Sequence, residues 1–188
     1  MRCFIAINLD DVVKKEIDAS VALLKKEKAD VKWVPAANLH VTLKFFGEID
    51  ERTVEKIEEN LSEISRKFSP FEVKLHGLGV FPDERRPRVI WIDFLDSRRL
   101  IKLQEEVEYS IVSIGFEKED RPFSPHLTIG RVRSPKNKDL LLRAMGPLRS
   151  KDFGNIGVDK IFLMKSDLKP TGAQYTAVAE FPLTKEEQ

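Results

Sequence analysis

The sequence predicts a mixed α and β fold of two matching halves, a pseudo-twofold duplication, and three observations predict it. Strand-like and helix-like periodicities alternate, and the order strand, helix, strand, helix, strand occurs twice. The middle strand of each round carries His-x-Thr-aliphatic, His40-Val41-Thr42-Leu43 and His126-Leu127-Thr128-Ile129, 86 positions apart. Their register agrees too: Ile5 precedes His40 by 35 positions and Ile92 precedes His126 by 34. The 188 residues are read as a single domain of two lobes, with approximate halves 1–87 and 88–188.

In the first half Arg2–Leu9 reads as a buried strand, with Cys3, Ile5, Ile7 and Leu9 on one face. Asp10–Lys26 follows with Val12, Val13, Ile17, Val21, Leu23 and Leu24 at helical spacing, capped by Asp10 or Asp11. Leu39–Gly47 alternates as a strand. A helix from about Glu51 to Arg66 carries Val54, Ile57, Leu61 and Ile64, and Phe71–Phe81 is the closing strand. The segment Phe81–Arg88, with two prolines among its charges, is a loop joining the halves.

The second round begins at the strand Val89–Phe94. It continues with a helix over Ser97–Ile114, striped by Leu100, Leu103, Val107 and Ile111, and the strand Ser124–Val132. A helix at Lys138–Met145 and strands at Gly157–Ser166 and Gln174–Phe181 complete the chain.

With 41% hydrophobic and 34% charged residues there is material for a packed interior, and disorder is excluded. Thirty-two basic against thirty-one acidic side chains argue against a protein that coats nucleic acid by bulk charge, so any RNA contact must be local. The single cysteine, Cys3, offers no internal disulfide and fits a reducing compartment. Without a long apolar run or a signal-peptide pattern, the expectation is a cytoplasmic protein with no membrane partner, and a monomer by default.

Side chains alternate along a strand, so His40 and Thr42 share one face, as do His126 and Thr128. If the halves pack about a pseudo-twofold axis, two imidazoles and two hydroxyls can surround one small anion. Displacement at phosphorus needs a base on one side and an acid on the other, and histidine serves either role near neutral pH. Threonine hydroxyls can donate to phosphate oxygens as charge develops on them. By parity Lys44 can reach the same cleft, whereas Arg131 can enter only through a bulge or strand end near Gly130.

HVTL and HLTI resemble the paired signatures of the two-histidine (2H) phosphoesterase superfamily. RCFIAINL, WVPAANLHVTLKFFGE, VFPDERRPRVIWIDF, SPHLTIGRV and LKPTGAQYTAVAEFPL resemble its RNA 2′,3′-cyclic phosphodiesterase branch, also called 2′-5′ RNA ligase, over essentially the whole chain. The resemblance implies an α+β bilobal fold in which two antiparallel sheets flank a central cleft with helices outside. It also implies hydrolysis of RNA 2′,3′-cyclic phosphate ends, tRNA fragments among them, to 2′-phosphates, with no metal, ATP or other cofactor. Reversible 2′-5′ ligation follows if a 5′-hydroxyl replaces water. Carried over, His40 and His126 are the acid and base, Thr42 and Thr128 hold phosphate, Arg131 follows the second motif, and Tyr175 approaches the nucleotide; His40 is assigned as the acid for the leaving O3′ and His126 as the base, an order that a symmetric site leaves open to exchange.

Bland readings stand beside these. Lys44 is otherwise an exposed strand-end charge, and the cluster Arg85, Arg86 and Arg88 either guides an RNA backbone, with Phe81 stacking on a base, or is a solvated loop. One of Phe45 and Phe46 can reach the cleft mouth, core being the default for both. His76 lacks the following threonine and reads as a surface residue. Zinc is not expected, since no further ligand repeats near both motifs. A small-molecule cyclic phosphodiesterase acting on a cyclic nucleotide or ADP-ribose derivative, and a non-catalytic module holding RNA ends, are the competing functions.

Overall fold

The computed structural model describes residues 1–170 and 172–185. Among these residues nine strands and four α-helices run in the order β1 (Arg2–Asn8), α1 (Asp11–Lys25), β2 (Val31–Trp33), β3 (His40–Glu48), α2 (Glu51–Ser65), β4 (Phe71–Phe81), β5 (Val89–Leu95), α3 (Arg98–Val112), β6 (His126–Val132), α4 (Lys138–Met145), β7 (Asp152–Val158), β8 (Lys160–Lys169) and β9 (Gly172–Pro182).

The strands form two antiparallel sheets, one ordered β3-β1-β8-β9 and the other β2-β6-β5-β4-β7. The duplication is visible in them: β3-β1-β8-β9 corresponds to β6-β5-β4-β7, with β2 added outside β6. The two lobes are not, however, the sequence halves 1–87 and 88–188 taken whole. Each half gives up two strands, β2 and β4 joining the sheet of β5 and β6 while β8 and β9 join that of β1 and β3, so both sheets are built from both halves. The helices follow the same exchange. Helix α1 packs on β7 and α4, whereas α2 and α3 pack on each other, with α3 against β3 and α2 against β8 and β9.

Each helix exists for local reasons and is kept by its apolar stripe. Asp10 caps α1 by accepting from the Val13 N–H at 3.1 Å, and Asp50 caps α2 by accepting from the Thr53 N–H at 2.8 Å. On α2 the stripe Val54, Ile57, Leu61 and Ile64 is buried, each side chain contributing about 1.5–3 kcal/mol relative to exposure. No helix among the described residues is long and apolar enough to cross a membrane.

Two strands differ from the sequence expectation. β2 is only 3 residues long, too short to show a period. β7 contains Gly154, Asn155 and Gly157, which read as breakers, yet Phe153, Ile156 and Val158 pack it into the core and Gly154 supplies a φ of +96°. The expected strand Gly157–Ser166 is therefore the end of β7 run together with β8.

Candidate active site

The two His-x-Thr strands, β3 and β6, present their motifs to one cleft. Val41, Leu43, Leu127 and Ile129 are buried in the core, which turns His40, Thr42, His126 and Thr128 the other way. All four line a cleft of about 320 Å³, together with Arg131 and Tyr175. Side chains 86 positions apart in the sequence thus meet in one hollow.

Both imidazoles are held by the same device. His40 Nδ1 lies 2.7 Å from the carbonyl oxygen of Asn38 and His126 Nδ1 lies 2.8 Å from that of Ser124, each two residues upstream. A carbonyl can only accept, so Nδ1 carries the proton of the neutral ring and Nε2 keeps its lone pair.

The surroundings break the symmetry. His40 is half-buried between Phe4 and Tyr175, with ring centroids 4.8 and 5.1 Å away. Burial there pushes its pKa below the ordinary histidine value, the Asn38 carbonyl opposing and the charge of Lys14 adding to the shift. His126 is exposed, and its cross-strand neighbour on β5 is Asp93, where β1 places Asn8 opposite His40.

A bulge at the same place in each strand decides which cations enter. In β3, Thr42 pairs with Ala6 and Lys44 with Ile5, leaving Leu43 as the extra residue; in β6, Thr128 pairs with Trp91 and Gly130 with Ile90, leaving Ile129 extra. Parity is reversed beyond both points. Arg131 therefore turns into the cleft, by the route the sequence requires of it.

The same bulge sends Lys44 the opposite way, correcting its expected place at the phosphate. Only 6% exposed, its Nζ lies 3.1 Å from Glu108 Oε1 and 3.2 Å from Glu119 Oε1, and donates to the Glu117 carbonyl at 3.2 Å. The matching position in the second half is Gly130, where a Cβ would lie 2.9 Å from Val31 and 3.0 Å from Trp33, so β2 occupies the space that Lys44 fills in the first.

Arg86 also stands apart from the cleft, in a second hollow with Arg85, Arg88, Arg133 and Lys138. His76 is half-buried on β4 opposite Asp152, off the cleft. Among the described residues no group of three or more His, Cys, Asp or Glu side chains could hold a metal ion.

Sequence reading misses several lining residues, Arg2, Phe4, Asn38 and Phe123 among them, and puts Phe45 by default in the core. Phe45 is 47% exposed in the cleft, whereas Phe46 packs on Phe116 at 4.8 Å. The Arg2 guanidinium lies 5.0 Å over the Phe45 ring, and its buried Nε meets no acceptor among the described residues. A signal for Arg2 and Phe4 does exist: with Cys3, Ile5 and Ile7 in the core, alternation leaves them on the other face.

Comparison with known proteins agrees with this geometry. Residues 7–91 and 95–175 match the family described as LigT like Phosphoesterase. The chain is 37% identical to the RNA 2′,3′-cyclic phosphodiesterase of Methanothermobacter thermautotrophicus, over 97% of this chain and 99% of that one. The crystal structure of TT0787 of Thermus thermophilus superposes with a TM-score of 0.83 at 28% identity, covering 100% of both chains. That of E. coli LigT complexed with 3′-AMP gives 0.73 at 25% identity, covering 98% of each. With both histidine motifs inside the matched segments and the α+β bilobal fold in common, this chain belongs to the LigT-like phosphoesterase family.

Proposed function

We propose that the protein hydrolyses RNA 2′,3′-cyclic phosphate ends to 2′-phosphates by acid–base catalysis between His40 and His126. The observation that carries this reading is that both rings, locked in one tautomer by equivalent carbonyls, face the same cleft. The relative from Methanothermobacter thermautotrophicus bears the name of this activity, and E. coli LigT binds 3′-AMP. One Nε2 takes a proton from water as its oxygen bonds to phosphorus; the P–O3′ bond breaks, and the other imidazolium gives O3′ its proton. A 5′-hydroxyl in place of water would give a 2′-5′ linkage by the same displacement. tRNA fragments with cyclic phosphate ends fit this substrate class, for a monomer acting in the cytoplasm.

The environments favour His40 as base and His126 as acid, the reverse of the order expected from sequence. Burial keeps His40 neutral at neutral pH, the state a base needs. The limb of kcat/KM that falls with acid should then lie below the ordinary histidine value, activity being lost as pH drops through the lowered pKa of His40. With bis(p-nitrophenyl) phosphate, whose phenolate leaves without a proton, His126→Ala should keep more activity than His40→Ala. The opposite order would restore the sequence assignment.

Thr42 and Thr128 donate to the non-bridging oxygens, and Arg131 supplies the cation beside them. Each of Thr42→Ala and Thr128→Ala should lower kcat roughly 10–10³-fold if the hydroxyl bonds to developing charge. A change confined to KM would make them binding residues only. Phe45 under Arg2, with Tyr175, offers apolar faces to the terminal nucleotide.

Product analysis tests the whole reading. An RNA ending in 2′,3′-cyclic phosphate should yield a 2′-phosphate; a 3′-phosphate would reverse the leaving group, and binding without turnover would make the protein an end-binding module. Strong preference for a cyclic nucleotide or an ADP-ribose derivative would move the substrate to small molecules.

A further inference from the structure

The catalytic cleft does not use the second hollow. About 460 Å³ in volume, it lies between the loop after β4 and the segment after β6, and its charged lining is Arg85, Arg86, Arg88, Arg133 and Lys138. No carboxylate lines it, and among the described residues none of these four arginines has a carboxylate within ion-pair distance. In a chain with a net charge of +1 that is a strong local excess.

The hollow is also built. Asp83 Oδ1 accepts from the Arg85 and Arg86 N–H groups at 2.8 and 3.0 Å, Lys138 Nζ donates to the Arg85 carbonyl at 3.1 Å, and the Arg133 N–H donates to the Asp30 carbonyl at 2.8 Å. The loop is thus tied to the start of α4 by Lys138 and to β6 by the Val132 N–H, which donates to the Arg88 carbonyl at 2.9 Å.

The hollow adjoins the cleft along the chain, Arg131 lining one and Val132 and Arg133 the other. Beyond the bulge Arg131 and Arg133 share a face, about 7 Å apart along the extended chain, the scale of one nucleotide step. Arg131 lines the cleft, Arg133 lines the hollow, and the exposed Lys32 pairs with Arg131 from β2. Guanidinium groups without carboxylate partners suit phosphate oxygens, which they bind through paired hydrogen bonds.

We propose that this hollow binds the phosphodiester backbone of the nucleotides on the 5′ side of the reacting end, so that the protein acts on oligonucleotides in preference to cyclic mononucleotides. The inference rests on the cyclic phosphodiesterase reading given above. It makes the arginine loop a substrate-length determinant, separate from the chemistry.

The test compares kcat/KM for a short single-stranded RNA ending in 2′,3′-cyclic phosphate with that for 2′,3′-cyclic uridine monophosphate, in the wild type and in an Arg85→Gln/Arg133→Gln variant, across a salt series. The wild type should favour the RNA. The variant should lose about tenfold on the RNA at low salt, with a log–log salt slope shallower by about 0.7 for each phosphate no longer neutralised, and turn over the mononucleotide as before. A parallel loss on both substrates would overturn the proposal, as would an unchanged RNA preference, the result expected if the hollow instead receives an acidic protein or a free polyphosphate. A wild type with equal activity on both substrates would overturn it too, leaving the cyclic phosphodiesterase reading intact. Only a wild type inactive on both removes that reading.

Discussion

Replacing either cleft histidine, by His40→Ala or by His126→Ala, should lower turnover of an RNA 2′,3′-cyclic phosphate at least about 10²-fold with the fold unchanged. In the proposed mechanism each ring serves one of the two proton transfers, and each is held by a backbone carbonyl rather than by a side chain the core depends on. Because the two transfers belong to one displacement, the double variant should be little worse than the more damaged single one. Turnover is read from product formation and the fold from the thermal melt. Full activity in either single variant, or a rate loss that tracks unfolding, would remove the histidines from the mechanism.

The second large effect lies beneath the cleft. Lys44 and Glu108 are 6% and 3% exposed, and Glu108 also takes hydrogen bonds from Gln104 Nε2 at 3.2 Å and from the Glu119 N–H at 3.1 Å. Lys44→Met would leave that carboxylate buried without its cation, at a cost of about 3–5 kcal/mol. For a chain of this size the melting temperature should fall by roughly 6–20 °C. Adding Glu108→Gln, which removes the stranded charge and keeps an acceptor, should restore most of the loss. A Lys44→Met protein as stable as wild type would show that the pair contributes no stability. Activity should fall with the single change, because Glu119 anchors the loop that leads to Ser124, whose carbonyl orients His126.

The histidine pair and its register are legible because strand alternation and helical stripes are local patterns, and Val41, Leu43, Leu127 and Ile129 obey them. What misplaces Lys44 is a single extra residue, Leu43, since one bulge reverses every side chain after it and leaves no mark in composition. Arg131 can be handled better: its parity is wrong for the cleft, so a bulge near Gly130 has to be assumed, and β6 has one there. The exchange of β4 and β8 cannot be read at all. Strand pairing is settled by which edges meet after collapse, and the sequence of either strand suits either neighbour.

That exchange limits how the protein can move. The chain passes from one sheet to the other after β1, β2, β3 and β7, so the lobes are laced together rather than joined by one tether. A bite closing about a flexible hinge is therefore not open to it, and the gap between the imidazoles acts as a fixed gauge. Selection at the reacting end then falls to what fits that gauge as it stands, and adaptation to longer or bulkier partners is left to the rim.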